Sequence, residues 1–145
     1  MTTDDSSADH CSECGAARVD GLGCWDQFGR LLAWEADDAE LRAVHFLTVA
    51  SYNLQHPARF TDEAIAGLRQ SYIDYLDHGI SIKEIRRRAT AAFDGSKRVR
   101  RDEASVRPAL RAWPMTIADV YHGAQPEGAA DRVRRWARAI RRTLG

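Results

Sequence analysis

Apolar residues in this chain recur at intervals of three and four, the spacing of a helix with one buried face, and period-two strand patterns are absent. Trp25, Phe28, Leu31 and Leu32 mark a first helix from Cys24 to about Ala36. Asp37 and Asp38 break it and offer acids to the start of the next helix. The second helix is predicted over Ala39 to His56, with Leu41, Val44, Thr48 and Tyr52 along one side, and Pro57 stops it. Thr61 can cap a third helix striped with Ile65, Leu68, Tyr72, Ile73 and Leu76, and Gly79 stands where a helix ends. Ser81 and Glu84 form an S-x-x-E capping box for a fourth helix running to about Phe93, with Ile80 and Ile85 as its hydrophobic staple. Lys97 to Arg101 reads as a basic connector, and Glu103 to Trp113 as a helix interrupted by Pro108. Thr116 to His122 has room for one or two turns. Glu127 to Leu144 is amphipathic, with Val133, Trp136, Ala137, Ile140 and Leu144 predicted inward and six arginines outward.

The fold class that follows is all-α, a compact bundle of about five to six helices with an N-terminal zinc-binding loop. Residues 1–10 read as a disordered tail and 11–145 as a single helical domain, divided into a metal-binding helical hairpin over 11–57 and a helical remainder over 58–145. Composition agrees with a folded chain, at 44% hydrophobic and 29% charged residues. No apolar run approaches the roughly 20 residues of a membrane span. The start, Met1 to His10, is acidic and polar and unlike a secretory signal, so a cytoplasmic protein without a membrane partner is expected.

Charge changes the picture only in its distribution. Residues 1–40 carry ten acids against two arginines (−8), whereas residues 83–111 carry ten bases against four acids (+6). Residues 112–145 add six arginines against three acids (+3). The basic half invites comparison with phosphate-binding proteins, but Arg86, Arg87 and Arg88 point three ways around one helix and no reading motif surrounds them.

The candidate chemistry lies in three cysteines, all within the first 24 residues. An odd number without an export signal argues against a disulfide framework and for metal binding or a reactive thiol. Cys11-Ser12-Glu13-Cys14-Gly15 is a C-x-x-C-G turn that can aim two thiolates at one ion, with the glycine letting the backbone turn beneath them. Cys24 follows after nine residues and opens a helix, whose N-terminal dipole favours a thiolate. Three soft ligands suit Zn2+, with iron or copper as alternatives by ligand type.

A closed site needs a fourth ligand, and His10, His45 and His56 are within the first half. In an antiparallel hairpin turning at Asp37-Asp38, the level of Cys24 lies near Ala50 or Ser51, with His45 ~9 Å below and His56 ~8 Å above. Cys11 and Cys14 enter from above, so His56 is the better placed ligand and His45 the alternative. An unbroken helix would hold the two ~16 Å apart, so both cannot bind one ion. Tyr52 and Gln55 lie close enough to orient the imidazole of His56 from behind. His78 and His122, each before a glycine, read as helix-end residues.

The motifs C-x-x-C-G, G-C-x-x-x-F (Gly23 to Phe28) and H-x-L-T-V-x-x-Y-x-L-Q-H-P (His45 to Pro57) together resemble a bacterial family, the domain-of-unknown-function family 5946. Pro114 to Val120 and Trp136-Ala137 are a fainter echo. The resemblance implies that Cys11, Cys14, Cys24, His45, Tyr52, Gln55 and His56 belong to a family pattern, and it implies no activity, substrate or partner.

Three functions compete. A complete Cys3His set implies a zinc-stabilised module that binds another protein. An open fourth position would instead allow a metal-dependent enzyme, with His45, Tyr52 and Gln55 as acid–base groups, although no H-E-x-x-H or glycine-rich phosphate loop accompanies it. Nucleic-acid binding through the basic half is the third, and is expected to be weak.

Overall fold

Helix starts and stops are made by the residues that the pattern marks. Leu41 donates its N–H to the Asp38 carboxylate at 3.0 Å, and Ala64 donates to the Thr61 hydroxyl at 3.2 Å. Gly79 closes the longest helix in the left-handed conformation, at φ 67°. The computed structural model describes residues 9–92 and 112–145. Among them are seven helices: α1 Cys24–Trp34, α2 Ala39–Ala43, α3 His45–Leu54, α4 Asp62–His78, α5 Ile82–Ala92, α6 Ile117–Tyr121 and α7 Ala129–Leu144. Short 3-10 turns follow α1 (Glu35–Asp37) and α3 (Pro57–Arg59). The described residues contain no strand, only isolated bridges between His10 and Ala17 and between Val19 and Leu22. The class is all-α, as the periodicity predicts.

Helix α7 is the centre of the packing. Val133, Trp136, Ala137 and Ile140 are fully buried, and α7 lies against α2, α3 and α6. Burying four such side chains contributes on the order of several kcal/mol before chain entropy is counted. Helix α1 packs on α6, where Trp34 and Tyr121 stack at 5.5 Å, and α3 packs on α4. At the back of α3, Ser51 and Tyr72 share a buried hydrogen bond of 2.8 Å, and Tyr72 also donates to the Ala137 carbonyl. Burial pushes the Tyr72 phenol well above its usual range, so it stays a neutral donor. Helix α5 leans on α4 through Arg88, which bonds the Asp74 carboxylate at 2.7 Å.

Several expectations need correction. The helix expected over Ala39 to His56 is two helices, parted at Val44 (φ −106°, ψ 22°), and it ends at Leu54. Arg42 reaches back to the carbonyls of Glu35 and Ala36, and His45 pairs with Glu35, so this first short segment is tied to the preceding turn and cannot continue in line. Arg132 is not outward. It is buried and donates to the carbonyls of Val120, Gln125 and Glu127, satisfying the loop between α6 and α7. Of the residues that mark α1, Trp25 is 69% exposed, while Gln27 takes the buried position beside Phe28 and Leu31. Ser81 does accept the Glu84 N–H at 3.0 Å, but the Glu84 carboxylate is held by Arg87 and Arg88. The reciprocal box is formed at Thr116 and Asp119, at the start of α6.

Asp9 and His10, expected in the tail, are ordered against Arg18 and Ala17. The remaining tail residues, the end of the fourth helix at Phe93, the basic connector and the helix expected over Glu103 to Trp113 lie wholly or largely outside the described residues.

Candidate metal centre

The loop before α1 is a cysteine knuckle. Cys11 N–H donates to the Ala16 carbonyl and Gly15 N–H to the Cys11 carbonyl, each at 2.9 Å, and Gly15 takes φ 81°. That turn needs a positive φ, which glycine adopts without strain. It aims two backbone N–H groups at sulfur: Glu13 to Cys11 and Ala16 to Cys14, both at 3.4 Å. Such contacts stabilise negative charge on the sulfurs. Gln27 then stitches the loop to α1, its amide nitrogen donating to the carbonyls of Ala17 and Leu22 at 2.9 Å each. Gln27 is the residue that sequence reasoning missed, and its one signal is a polar side chain on the apolar face one turn after Cys24.

Cys24 opens α1 beside this knuckle, and the chain after α3 completes the site. His56 stands outside the helix (φ −131°, ψ 58°), which folds its imidazole back over Tyr52 at a ring distance of 4.0 Å. Phe28 stacks on the other face of Tyr52 at 4.1 Å. The His56 Nδ1–H donates to the Tyr52 backbone carbonyl at 2.7 Å, which turns Nε2 toward the thiols. Glu13 accepts the Ala58 N–H at 3.2 Å and clips the knuckle to the turn after His56.

The sulfurs of Cys11, Cys14 and Cys24 and a ring nitrogen of His56 all lie within 4.8 Å of one another. His56 Nε2 is 3.6 Å from Cys11 Sγ and 3.4 Å from Cys24 Sγ. A tetrahedral zinc ion with Zn–S of about 2.3 Å and Zn–N of about 2.0–2.1 Å requires an S···N separation of roughly 3.5–3.6 Å. The donor set fits a metal ion in type, number and spacing.

Electrostatics point the same way. The neighbouring thiols of Cys14 and Cys24 hold the Cys11 thiol far below its usual range. The same contact with Cys11, together with Cys24 and burial, pushes Cys14 far above it. Burial opposes the charged form of His56, but Cys11 and Cys24 outweigh it and raise the imidazole to about 10. Three thiolates so close repel unless a cation stands among them. A divalent ion would ionise all three and leave His56 neutral as a ligand.

The other candidates lie elsewhere. His45 bonds the Glu35 carboxylate through Nδ1 at 2.9 Å on a half-exposed surface, and His10 pairs with Ala17. The Tyr52 hydroxyl lies beside the thiols, 3.5 Å from Cys24 Sγ. Gln55 does not: its amide spans the core, donating to the Met115 carbonyl at 2.7 Å and accepting from the Trp136 indole at 3.2 Å.

This geometry coincides with a match to a family described as "Family of unknown function (DUF5946)", over residues 9–145. The chain belongs to the DUF5946 family. No curated protein and no solved structure matches it. In this DUF5946 chain the cysteines that open the match and the histidine after α3, 45 residues apart from Cys11 to His56, meet at one point. No described helix is long and apolar enough to cross a membrane.

Proposed function

We propose that Cys11, Cys14, Cys24 and His56 hold a structural zinc ion, and that the protein is a zinc-stabilised helical module acting by binding another protein. The observation that carries this reading is the donor set: three sulfurs and one imidazole nitrogen within 4.8 Å of one another, enough to fill a four-coordinate zinc shell without substrate or water. Zinc is favoured among soft metals because three thiolates and one imidazole are a common structural set for it. Three free thiols suit a reducing compartment, and we assign the protein to the cytoplasm.

Nucleic-acid binding is the weaker reading. Arg87, Arg88, Arg134 and Arg141 are each paired within the protein, to Glu84, Asp74, Asp131 and Asp77, which lowers the charge they offer to phosphates. Such binding should be weak and salt-sensitive.

Metal analysis of protein purified without chelator and without added metal should give one zinc per chain. A ratio near zero would overturn the proposal. His56→Ala should lose the metal and lower the melting temperature, since metal binding contributes to folding. His45→Ala should keep both. A metal-edge map with water in place of His56 would restore the enzyme reading.

A further inference from the structure

Next to the metal centre, Cys11, Glu13, Cys24, Trp25, Tyr52 and Phe60 contribute to an open cleft of about 430 Å3. Trp25 is the one large apolar side chain that is extensively exposed among the described residues, at 69%. Its indole sits 6.0 Å from both Phe28 and Tyr52, which prop it at the rim. Both faces of Tyr52 are covered, by Phe28 and His56, so Trp25 supplies the free aromatic face. The cleft is also negative. Three thiolates around a divalent ion would leave a net charge of −1, and Glu13 adds a carboxylate at the wall. An aromatic face beside anionic sulfur and carboxylate selects a cation with a flat, weakly hydrated surface.

We infer that this cleft is the docking site for an arginine side chain on a basic segment of the partner protein, stacked on Trp25 and donating toward Cys11, Cys24 or Glu13. The inference rests on the zinc-module reading and names the partner chemistry for it. The cleft has room for one long side chain and a short stretch of its backbone. Arginine is selected over lysine because guanidinium stacks flat and keeps its in-plane donors free for the sulfurs.

The test titrates the zinc-loaded full chain with hexa-arginine, hexa-lysine and hexa-glutamate peptides, with zinc content and melting temperature measured on every sample. Hexa-arginine should bind more tightly than hexa-lysine, and hexa-glutamate should not bind. Trp25→Ala should weaken hexa-arginine binding roughly 3- to 30-fold. Trp25→Phe should fall between, and both variants should keep their zinc and melting temperature because the indole is exposed. Zinc-loaded protein that binds hexa-arginine no better than hexa-lysine, or equally well without Trp25, overturns this inference and leaves the zinc module standing. Protein purified without zinc overturns the module and the inference with it.

Discussion

The cysteine knuckle is fastened to the turn just after α3 and helix α7 packs on α3 itself, by different means. On the knuckle side the bonds are few and polar: two N–H···S bonds within the loop, the Gln27 amide from α1, and the Glu13 clip and facing imidazole of His56 that reach the chain just after α3. Residues 9–23 contribute only Cys14 and Ala16 to the fully buried core. On the α7 side Trp136, Val133 and Ile140 are sealed in apolar surroundings, and Gln55 crosses from α3 to meet the Trp136 indole. On the proposed reading a loop this poor in apolar surface holds its shape through metal–ligand bonds, whereas α7 holds by burial. Metal removal should therefore loosen one region and core truncation the other.

The largest effect on stability is expected at Trp136. Trp136→Ala opens a cavity at the bundle centre and strands the Gln55 carbonyl, and should cost about 3–5 kcal/mol. That is a fall in melting temperature of roughly 10–20 °C for a chain of this size. Zinc should remain bound below the new transition. Zinc loss well before global unfolding would show that the two regions are less independent than their packing implies, and calorimetry alongside metal release would detect it.

A smaller effect is expected behind the ligands. Tyr52→Phe keeps the Phe28–Tyr52–His56 stack and the carbonyl that orients His56, and deletes only the hydroxyl 3.5 Å from Cys24 Sγ. Metal affinity should fall about 10-fold, the low end for removing a group that supports a ligand. The melting temperature of the metal-loaded protein should move little. A competitive chelator titration measures the first and thermal unfolding the second.

The smallest effect concerns the outer helices. Arg87 and Arg88 hold the Glu84 carboxylate down to about 2 from its ordinary 4.5. A depressed carboxylate contributes stability that is present above its unfolded value near 4.5 and is lost as pH falls through about 2. The group is exposed, so the contribution should be slight and should shrink further in salt. Acid titration at low and high salt should show it as a shallow, salt-sensitive slope, which Glu84→Gln removes.

Much of this could be read along the chain because it is local. Caps at Asp38 and Thr61, the left-handed Gly79 and the apolar stripe of α7 depend on residues within one or two turns of each other, and the structure has them where the pattern puts them. The C-x-x-C-G turn is local in the same sense, since its bonds run from Cys11 to Ala16. What periodicity cannot state is which neighbour covers each face. Trp25 and Gln27 stand two residues apart on α1, and the placement of the knuckle and α6 decides that the amide is buried and the indole exposed.

His45 and His56 share a face of the helix that the pattern draws. Their difference arises because the chain breaks at Val44, ties His45 to Glu35, and leaves the helix before His56. Gln55 and Arg132 turn inward for a related reason: they donate to the carbonyls of Met115, Val120 and Glu127, which come from segments distant in sequence or from a loop that no pattern resolves. The sequence alone determined most helix starts and stops and the three thiols. The choice of the fourth donor belonged to the tertiary structure, because a side chain's partner is set by where the rest of the chain arrives.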